Sequence, residues 1–164
     1  MEERKDKDNY YLDIAETVLI RSTCKRRKYG ALIVRDDGII ATGYNGAPRG
    51  RQNCIDRGRC MRAELGIPSG ERYELCRGVH AEANAIISAA RRDMIGATLY
   101  LSGRDAKTGE LLSDTLPCSM CRKDIINSGI EKTICRIGPD QYIVINTRDL
   151  VFNDDSLSNL SSFL

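Results

Sequence analysis

Residues 79–90, VHAEANAIISAA, predict a helix because they are rich in alanine, the residue with the highest helix propensity. His80, the only histidine of the chain, stands at the beginning of this stretch, and Glu82 follows two positions later. Deep within a helix these two side chains would point to nearly opposite sides. They converge only if they occupy its opening turn. The stretch therefore predicts a polar site at the start of a helix that is otherwise apolar.

A second motif, PCSMC at residues 117–121, is predicted to complete the site that begins at His80. Proline favours a helix beginning just after it, and Gly129 favours its end, so a helix is expected over residues 118–127. Cys118 and Cys121 are three positions apart and share one face of that helix, in the first turn, where the helix dipole favours thiolate. With His80 they make three zinc ligands and leave a fourth tetrahedral position open, as in catalytic zinc sites. Glu82 is interpreted as the proton carrier, because H-x-E followed by P-C-x-x-C is typical of zinc deaminases.

The rest of the chain alternates helical and extended patterns. A helix is predicted over residues 10–21, and strands over residues 30–34, 39–42, 97–102, 130–137 and 141–145. This order predicts an α/β fold with helices packed on the faces of a sheet. Residues 156–164 are expected to form a loose tail.

Length and composition limit the classes of protein. The 164 residues predict a single domain, and apolar and charged fractions of 41% and 29% are those of a soluble globular protein. The sequence contains no apolar run of about 18 residues, so no membrane span is predicted. The charged beginning of the chain is unlike a signal peptide. A cytoplasmic location is expected. The net charge of +2 is too small to indicate nucleic-acid binding by itself.

Basic residues cluster at residues 25–28 and again between residues 49 and 62. Such runs are compatible with a solvated face and, alternatively, with a site for the phosphate of a small anionic ligand. The sequence leaves this choice open.

The two motifs, together with residues 30–34 (GALIV), 43–48 (GYNGAP) and 125–130 (IINSGI), resemble the zinc-dependent cytidine and deoxycytidylate deaminase superfamily. The chain is similar to deoxycytidylate (dCMP) deaminases, bacterial competence-operon homologues included, over about residues 10–137. The resemblance implies a three-layer α/β/α fold with a central mixed sheet of about five strands and helices on both faces. It implies a zinc-dependent hydrolase that converts dCMP into dUMP and ammonia, and a homo-oligomer.

The resemblance also assigns roles to residues outside the two motifs. Asn45 would bind the nucleotide sugar, and Ala81 would also contact the substrate. Gly43, Tyr44 and Gly46 would belong to an effector site or to a supporting loop, which Asn84 would hold in place. From the residues alone, glycines allow close approach of the backbone to a ligand, but a plain tight loop is an equally good interpretation.

Four upstream cysteines, Cys24, Cys54, Cys60 and Cys76, are matched in part by phage-type relatives that hold a second, structural zinc. A chain in a reducing compartment does not depend on disulfides, and four thiolates satisfy a closed tetrahedral zinc site. Residues 51–79 are therefore interpreted as a cysteine-containing insertion that a structural zinc keeps ordered. Cys135, in a predicted strand, is expected to be a buried apolar residue.

One departure from the family bears on the substrate. Residues 103–116 lie between the strand and the PCSMC motif, where the family has almost no connection, and are predicted to form a loop beside the metal pocket. Alternative functions are deamination of cytidine, of tRNA adenosine or of a riboflavin-pathway pyrimidine, and a non-catalytic zinc- or nucleotide-binding module. Retention of Glu82 argues against the non-catalytic alternative.

Overall fold

A computed structural model describes residues 2–153, in which five strands form one mixed sheet. The strands are β1 (Arg27–Arg35), β2 (Gly38–Tyr44), β3 (Thr98–Asp105), β4 (Lys132–Gly138) and β5 (Gln141–Asn146). Their order across the sheet is β2-β1-β3-β4-β5. Strands β3 and β4 are parallel, and the other neighbours are antiparallel. The tail expected at residues 156–164 lies outside the described residues.

Seven α-helices accompany the sheet within the described range: α1 (Lys7–Leu19), α2 (Cys54–Arg57), α3 (Met61–Glu64), α4 (Ala81–Ile87), α5 (Arg91–Met94), α6 (Ser119–Ser128) and α7 (Thr147–Phe152). Asp6 caps α1 by accepting the Asn9 N–H, and Gly129, with a φ of 85°, ends α6. None of the helices of residues 2–153 has the length and apolar content needed to cross a membrane.

Side chains that alternate along β1 face two separate cores. Leu32 and Val34 pack with α1 on one face of the sheet, and Ala31 and Ile33 pack with α4 and α6 on the other. Because both faces are covered by helices, the predicted three-layer α/β/α architecture is confirmed. Cys135 is fully buried in the second core, as predicted.

Two glycines allow the outer layers to approach the sheet closely. A Cβ on Gly30 would lie 2.0 Å from the Ala15 carbonyl oxygen of α1. A Cβ on Gly43 would lie 2.3 Å from the Ala81 carbonyl oxygen and 2.5 Å from the Ala85 nitrogen of α4. Because Gly43 has no Cβ, α4 and the residues at its start can pack directly against β2.

Besides shifts of one to three residues at the ends of other elements, the structure differs from the sequence prediction in three places. The helix expected over residues 79–90 ends at Ile87, and α5 follows as a separate short helix. The loop expected over residues 103–116 begins as strand, because β3 continues to Asp105 by pairing with β1 and with residue 111. Helix α7 was not predicted. The extension of β3 depends on pairing partners that are distant in sequence, which local patterns do not reveal.

Candidate metal centre and active site

The metal centre is built from the beginnings of two helices. His80 is the N-cap residue of α4 and Cys118 is the N-cap residue of α6, so both have extended backbone immediately before a helix. Cys121 lies one turn into α6 and is buried. The His80 Nδ1 atom lies 3.4 Å from the Cys118 Sγ atom and 3.5 Å from the Cys121 Sγ atom. The two motifs, 38 residues apart in sequence, therefore meet at one point.

The spacing of these three atoms fits zinc. With Zn–S and Zn–N distances of about 2.3 and 2.0–2.1 Å, tetrahedral angles place sulfur and nitrogen ligands about 3.6 Å apart. The ligand atoms of His80, Cys118 and Cys121 all lie within 4.8 Å of one another, and no second group of three His, Cys, Asp or Glu residues meets that limit among residues 2–153. Since only three protein ligands converge, the fourth position of a tetrahedral ion is left for a small molecule.

The charges at this centre favour ligation. Hydrogen bonding from the Cys121 thiol, which outweighs burial, and from the His80 imidazole lowers the pKa of Cys118 to about 4. The adjacent Cys118 sulfur and burial raise the pKa of Cys121, so Cys118 ionises first. A bound metal ion would deprotonate the second thiol as well.

Glu82 lies in the first turn of α4 and is 4% exposed. Burial raises the pKa of its carboxyl group above the usual value, although the nearby His80 charge opposes that shift. A carboxyl group whose pKa is moved towards neutrality can both accept and return a proton. The arrangement suits a proton carrier beside the metal ligands.

The GYNGAP loop is held by side chains rather than left open. The Asn45 Oδ1 atom accepts from the Tyr29 N–H at 2.8 Å and from the Ser22 hydroxyl at 2.6 Å, and its Nδ2 donates to the Arg27 carbonyl at 2.8 Å. Asn45 lines the cavity in front of the metal ligands, but most of its amide is already engaged. Any contact of Asn45 with a sugar is therefore limited to the remaining Nδ2 hydrogen.

The other residues assigned by resemblance have structural contacts. Asn84 donates to the Tyr44 carbonyl at 2.8 Å, which joins α4 to the loop. Gly46 exchanges backbone hydrogen bonds with Val79 just before His80. The Ala81 side chain is fully buried, so this residue can meet a ligand only through its backbone.

The four upstream cysteines, Cys24, Cys54, Cys60 and Cys76, are free thiols that line the same cavity. The Cys24 sulfur accepts the Arg26 N–H and the Cys76 sulfur accepts the Gly78 N–H, each at 3.4 Å. In the described part of the chain these sulfurs do not form a closed group within 4.8 Å of one another.

The cavity is strongly cationic. The lysine and arginine residues that line it are Lys25, Arg26, Arg27, Arg62 and Arg77. Glu82 is the one carboxylate among the described lining residues. Part of the basic run at residues 25–28 therefore faces a cavity rather than bulk solvent. Such a charge balance attracts an anionic ligand.

Two aromatic residues at this site belong to no motif that predicts a functional role. Tyr73 makes an edge-to-face contact with the His80 ring, with ring centroids 4.7 Å apart. Tyr29 lines the cavity, and its hydroxyl group accepts a hydrogen bond from Arg27. Neither residue belongs to a recognisable motif; the position of Tyr73 within the cysteine-rich stretch was the only available signal.

One residue of the segment 103–116 lines this cavity, and a second pairs with a lining residue. Asp114 pairs with Arg27 at 3.2 Å, and Leu116 lines the cavity. The segment that departs from the family pattern thus contributes to the cavity rim, in line with its expected position beside the metal pocket.

Comparison with known proteins gives a consistent result. A family model described as the cytidine and deoxycytidylate deaminase zinc-binding region matches residues 5–137. A deoxycytidylate deaminase of Mycobacterium phage D29 is 40% identical over 136 residues, which cover 80% of this chain and 94% of the phage protein. The deoxycytidylate deaminase of Schizosaccharomyces pombe is 35% identical over 127 residues, 77% of this chain. This chain spans 36% of the length of that yeast protein.

A solved structure supports the same assignment. The crystal structure of dCMP deaminase from the cyanophage S-TIM5 in complex with dCMP and dUMP superimposes with a TM-score of 0.56. The two chains are 27% identical, and the match covers 82% of this chain and 84% of the cyanophage chain.

Proposed function

This chain belongs to the cytidine and deoxycytidylate deaminase family, and we propose that it hydrolyses dCMP to dUMP and ammonia. The observation that carries the proposal is the cavity, where a His-Cys-Cys centre adjoins five cationic side chains and Glu82 is the one carboxylate among the described lining residues. The metal centre accounts for deamination, and the excess of positive charge accounts for a substrate that bears a phosphate.

His80, Cys118 and Cys121 would hold the catalytic zinc. A zinc ion with an open fourth position supplies Lewis acidity, which makes water a competent nucleophile near neutral pH. The chain itself supplies the orientation of the three ligands, because each lies at the rigid beginning of a helix.

Glu82 would move the protons of the reaction. Water adds to C4 of the cytosine ring, and Glu82 accepts the proton that this water loses. The carboxyl group delivers that proton to ring nitrogen N3, and the second water proton then goes to the leaving amine. The C4–N4 bond breaks, ammonia leaves and a carbonyl group remains at C4. The raised pKa of Glu82 suits this shuttle, since both of its protonation states must be accessible.

The decisive experiment compares four substrates by loss of the cytosine absorbance: dCMP, CMP, deoxycytidine and cytidine. We expect kcat/KM to be highest for dCMP. The Glu82→Gln variant should lose about 10²- to 10⁴-fold in kcat while keeping its zinc, because Glu82 is not a ligand. Bound zinc with no turnover of any of the four compounds would refute dCMP deamination.

We further propose that Cys24, Cys54, Cys60 and Cys76 hold a second, structural zinc. Support comes from their number and type, their common cavity and the N–H groups that donate to two of the sulfurs. Burial, followed by the charge of the other three cysteines, raises the pKa of Cys54, as expected for thiols brought near one another. Elemental analysis should find two zinc ions per chain and one in Cys54→Ser; one zinc in the unaltered protein would refute the second site.

A homo-oligomer is the assembly that we propose for this chain. Support comes from large apolar side chains exposed on the helices that bear the site: Ile87 of α4 is 74% exposed and Met120 of α6 is 43% exposed. Light scattering coupled to size-exclusion chromatography measures the mass directly, and a monomer at micromolar concentration would contradict the proposal.

A further inference from the structure

Arg62 is a buried cation that forms no salt bridge with a carboxylate in the described part of the chain, although Glu74, which pairs with Arg72, lies within electrostatic range of it. It lies in α3, within the cysteine-containing segment, and only 6% of it is exposed. Its Nε atom donates to the Glu71 carbonyl at 3.1 Å, and its Nη2 atom donates to the carbonyls of Pro68 and Glu71 at 2.8 Å. A charged group is costly to bury unless its charge is balanced. Backbone carbonyls satisfy some of its hydrogen bonds without supplying a negative charge.

The guanidinium group still has donors to offer. Nη1 has no hydrogen-bond partner in the described part of the chain, whereas Nε and Nη2 are engaged. Arg62 lines the same cavity as His80 and Glu82. The carbonyl contacts fix the plane of the guanidinium group. The Nη1 atom is therefore held in one orientation, whereas the guanidinium of a surface arginine rotates freely.

Arg62 is connected to the metal centre through one aromatic ring. Its Cζ atom lies 4.6 Å from the Tyr73 ring centroid, and that ring lies 4.7 Å from the His80 ring. Burial raises the pKa of Tyr73, and the positive charge of Arg62 opposes that rise.

We propose that Arg62 binds the 5′-phosphate of the substrate and so determines the preference for a nucleotide over a nucleoside. This inference rests on the proposed deaminase function. The phosphate dianion would supply the direct salt-bridge partner that Arg62 lacks in the described part of the chain, and Nη1 would donate to a phosphate oxygen. The other cations of the cavity differ in being more exposed or, like Arg27, in being paired with a carboxylate.

The test uses the zinc-loaded protein and measures the phosphate contribution directly. In Arg62→Gln we expect kcat/KM for dCMP to fall by about 10- to 100-fold, from the strength of a hydrogen bond between charged groups. The competitive inhibition constant of dUMP should rise by a similar factor. The values for deoxycytidine turnover and deoxyuridine inhibition should stay within about twofold, because neither compound carries a phosphate.

Arg59→Gln is the matched control. Arg59 belongs to the same segment but does not line the cavity, and it pairs with Glu64 on the surface, so this variant should change none of these constants. If Arg62→Gln does not fold, Arg62→Lys replaces it; lysine keeps the charge but loses the planar fork, and dCMP alone should be affected.

The outcomes separate this inference from the proposed function. The inference would be wrong if Arg62→Gln lowered kcat/KM equally for dCMP and deoxycytidine and left the ratio of the dUMP and deoxyuridine inhibition constants unchanged. That result would show that Arg62 only supports Tyr73 and His80. A selective loss in Arg77→Gln but not in Arg62→Gln would overturn it as well. Failure of the unaltered protein to deaminate dCMP would instead reject the proposed function.

Discussion

Substitution of Gly43 by alanine is expected to damage the active site without touching any of its functional groups. The new Cβ would lie 2.3 Å from the Ala81 carbonyl oxygen and 2.5 Å from the Ala85 nitrogen, whereas ordinary van der Waals contact begins at 3.4 Å. Both atoms belong to the backbone of α4, so no side chain can rotate away. Helix α4 must therefore withdraw from β2, and it carries Glu82 and the preceding His80 with it.

The magnitude follows from that displacement. Restoring contact requires a shift of about 1 Å, and a misplacement of this size costs about 100-fold in the rate of a catalysed reaction. Overpacking against rigid backbone costs about 2–3 kcal/mol of unfolding free energy. For a domain of this size, we expect the melting temperature of Gly43→Ala to fall by roughly 4–12 °C.

A second glycine provides the control that separates displacement of the site from general destabilisation. In Gly30→Ala the new Cβ would lie 2.0 Å from the Ala15 carbonyl oxygen and 2.7 Å from the Leu19 nitrogen, both in α1 on the opposite face of the sheet. Melting temperature should therefore fall in both variants, while kcat for dCMP, measured well below both transitions, should fall only in Gly43→Ala. Full activity of Gly43→Ala, or an equal loss of activity in Gly30→Ala, would refute the reasoning.

Three further variants test the layers around the site. Arg136 is 4% exposed and its guanidinium lies 3.1 Å from the Glu16 carboxylate. Arg136→Met should therefore lower the free energy of unfolding, measured in urea, by about 3 kcal/mol. An unchanged urea midpoint would contradict this value. Burial raises the pKa of Glu16, but hydrogen bonds from Arg104 and Arg136 outweigh burial and the native pKa is lowered. The stabilisation that ionised Glu16 contributes to folding is therefore complete above its unfolded pKa of about 4.3. It is lost as the pH falls through the lower native pKa. The stability difference between the unaltered protein and Glu16→Gln should shrink over that acidic range; a difference that grows there would have the wrong sign. Asn84→Ala removes the 2.8 Å bond to the Tyr44 carbonyl, so we expect about 1 kcal/mol of lost stability and a higher KM for dCMP, and an unaltered KM would show that the loop does not depend on this bond.

The sequence predicted the elements that depend on local interactions. The apolar residues 30–34 correctly indicated a strand, and Pro117 and Gly129 correctly bounded α6. Helix α5 and the extension of β3 to Asp105 were not predicted, because tertiary contacts stabilise them rather than their own residues. The proposed zinc ligands could be picked out from the sequence because capping positions and a spacing of three residues are local properties of a helix.

By itself, therefore, the sequence determined the chemical groups of this protein: a histidine and a carboxylate at one helix start, two thiols at another and an excess of basic residues nearby. Only the tertiary structure decided that His80 and Cys118 meet at 3.4 Å, since that distance depends on α4 and α6 packing against the same face of the sheet. It also decided that Arg62 is buried beside Tyr73 without a salt-bridge partner among residues 2–153. Burial and pairing depend on contacts between segments that are distant in sequence. The sequence therefore shows Arg62 only as one basic residue among many, and the folded chain is needed to identify it as a candidate phosphate ligand.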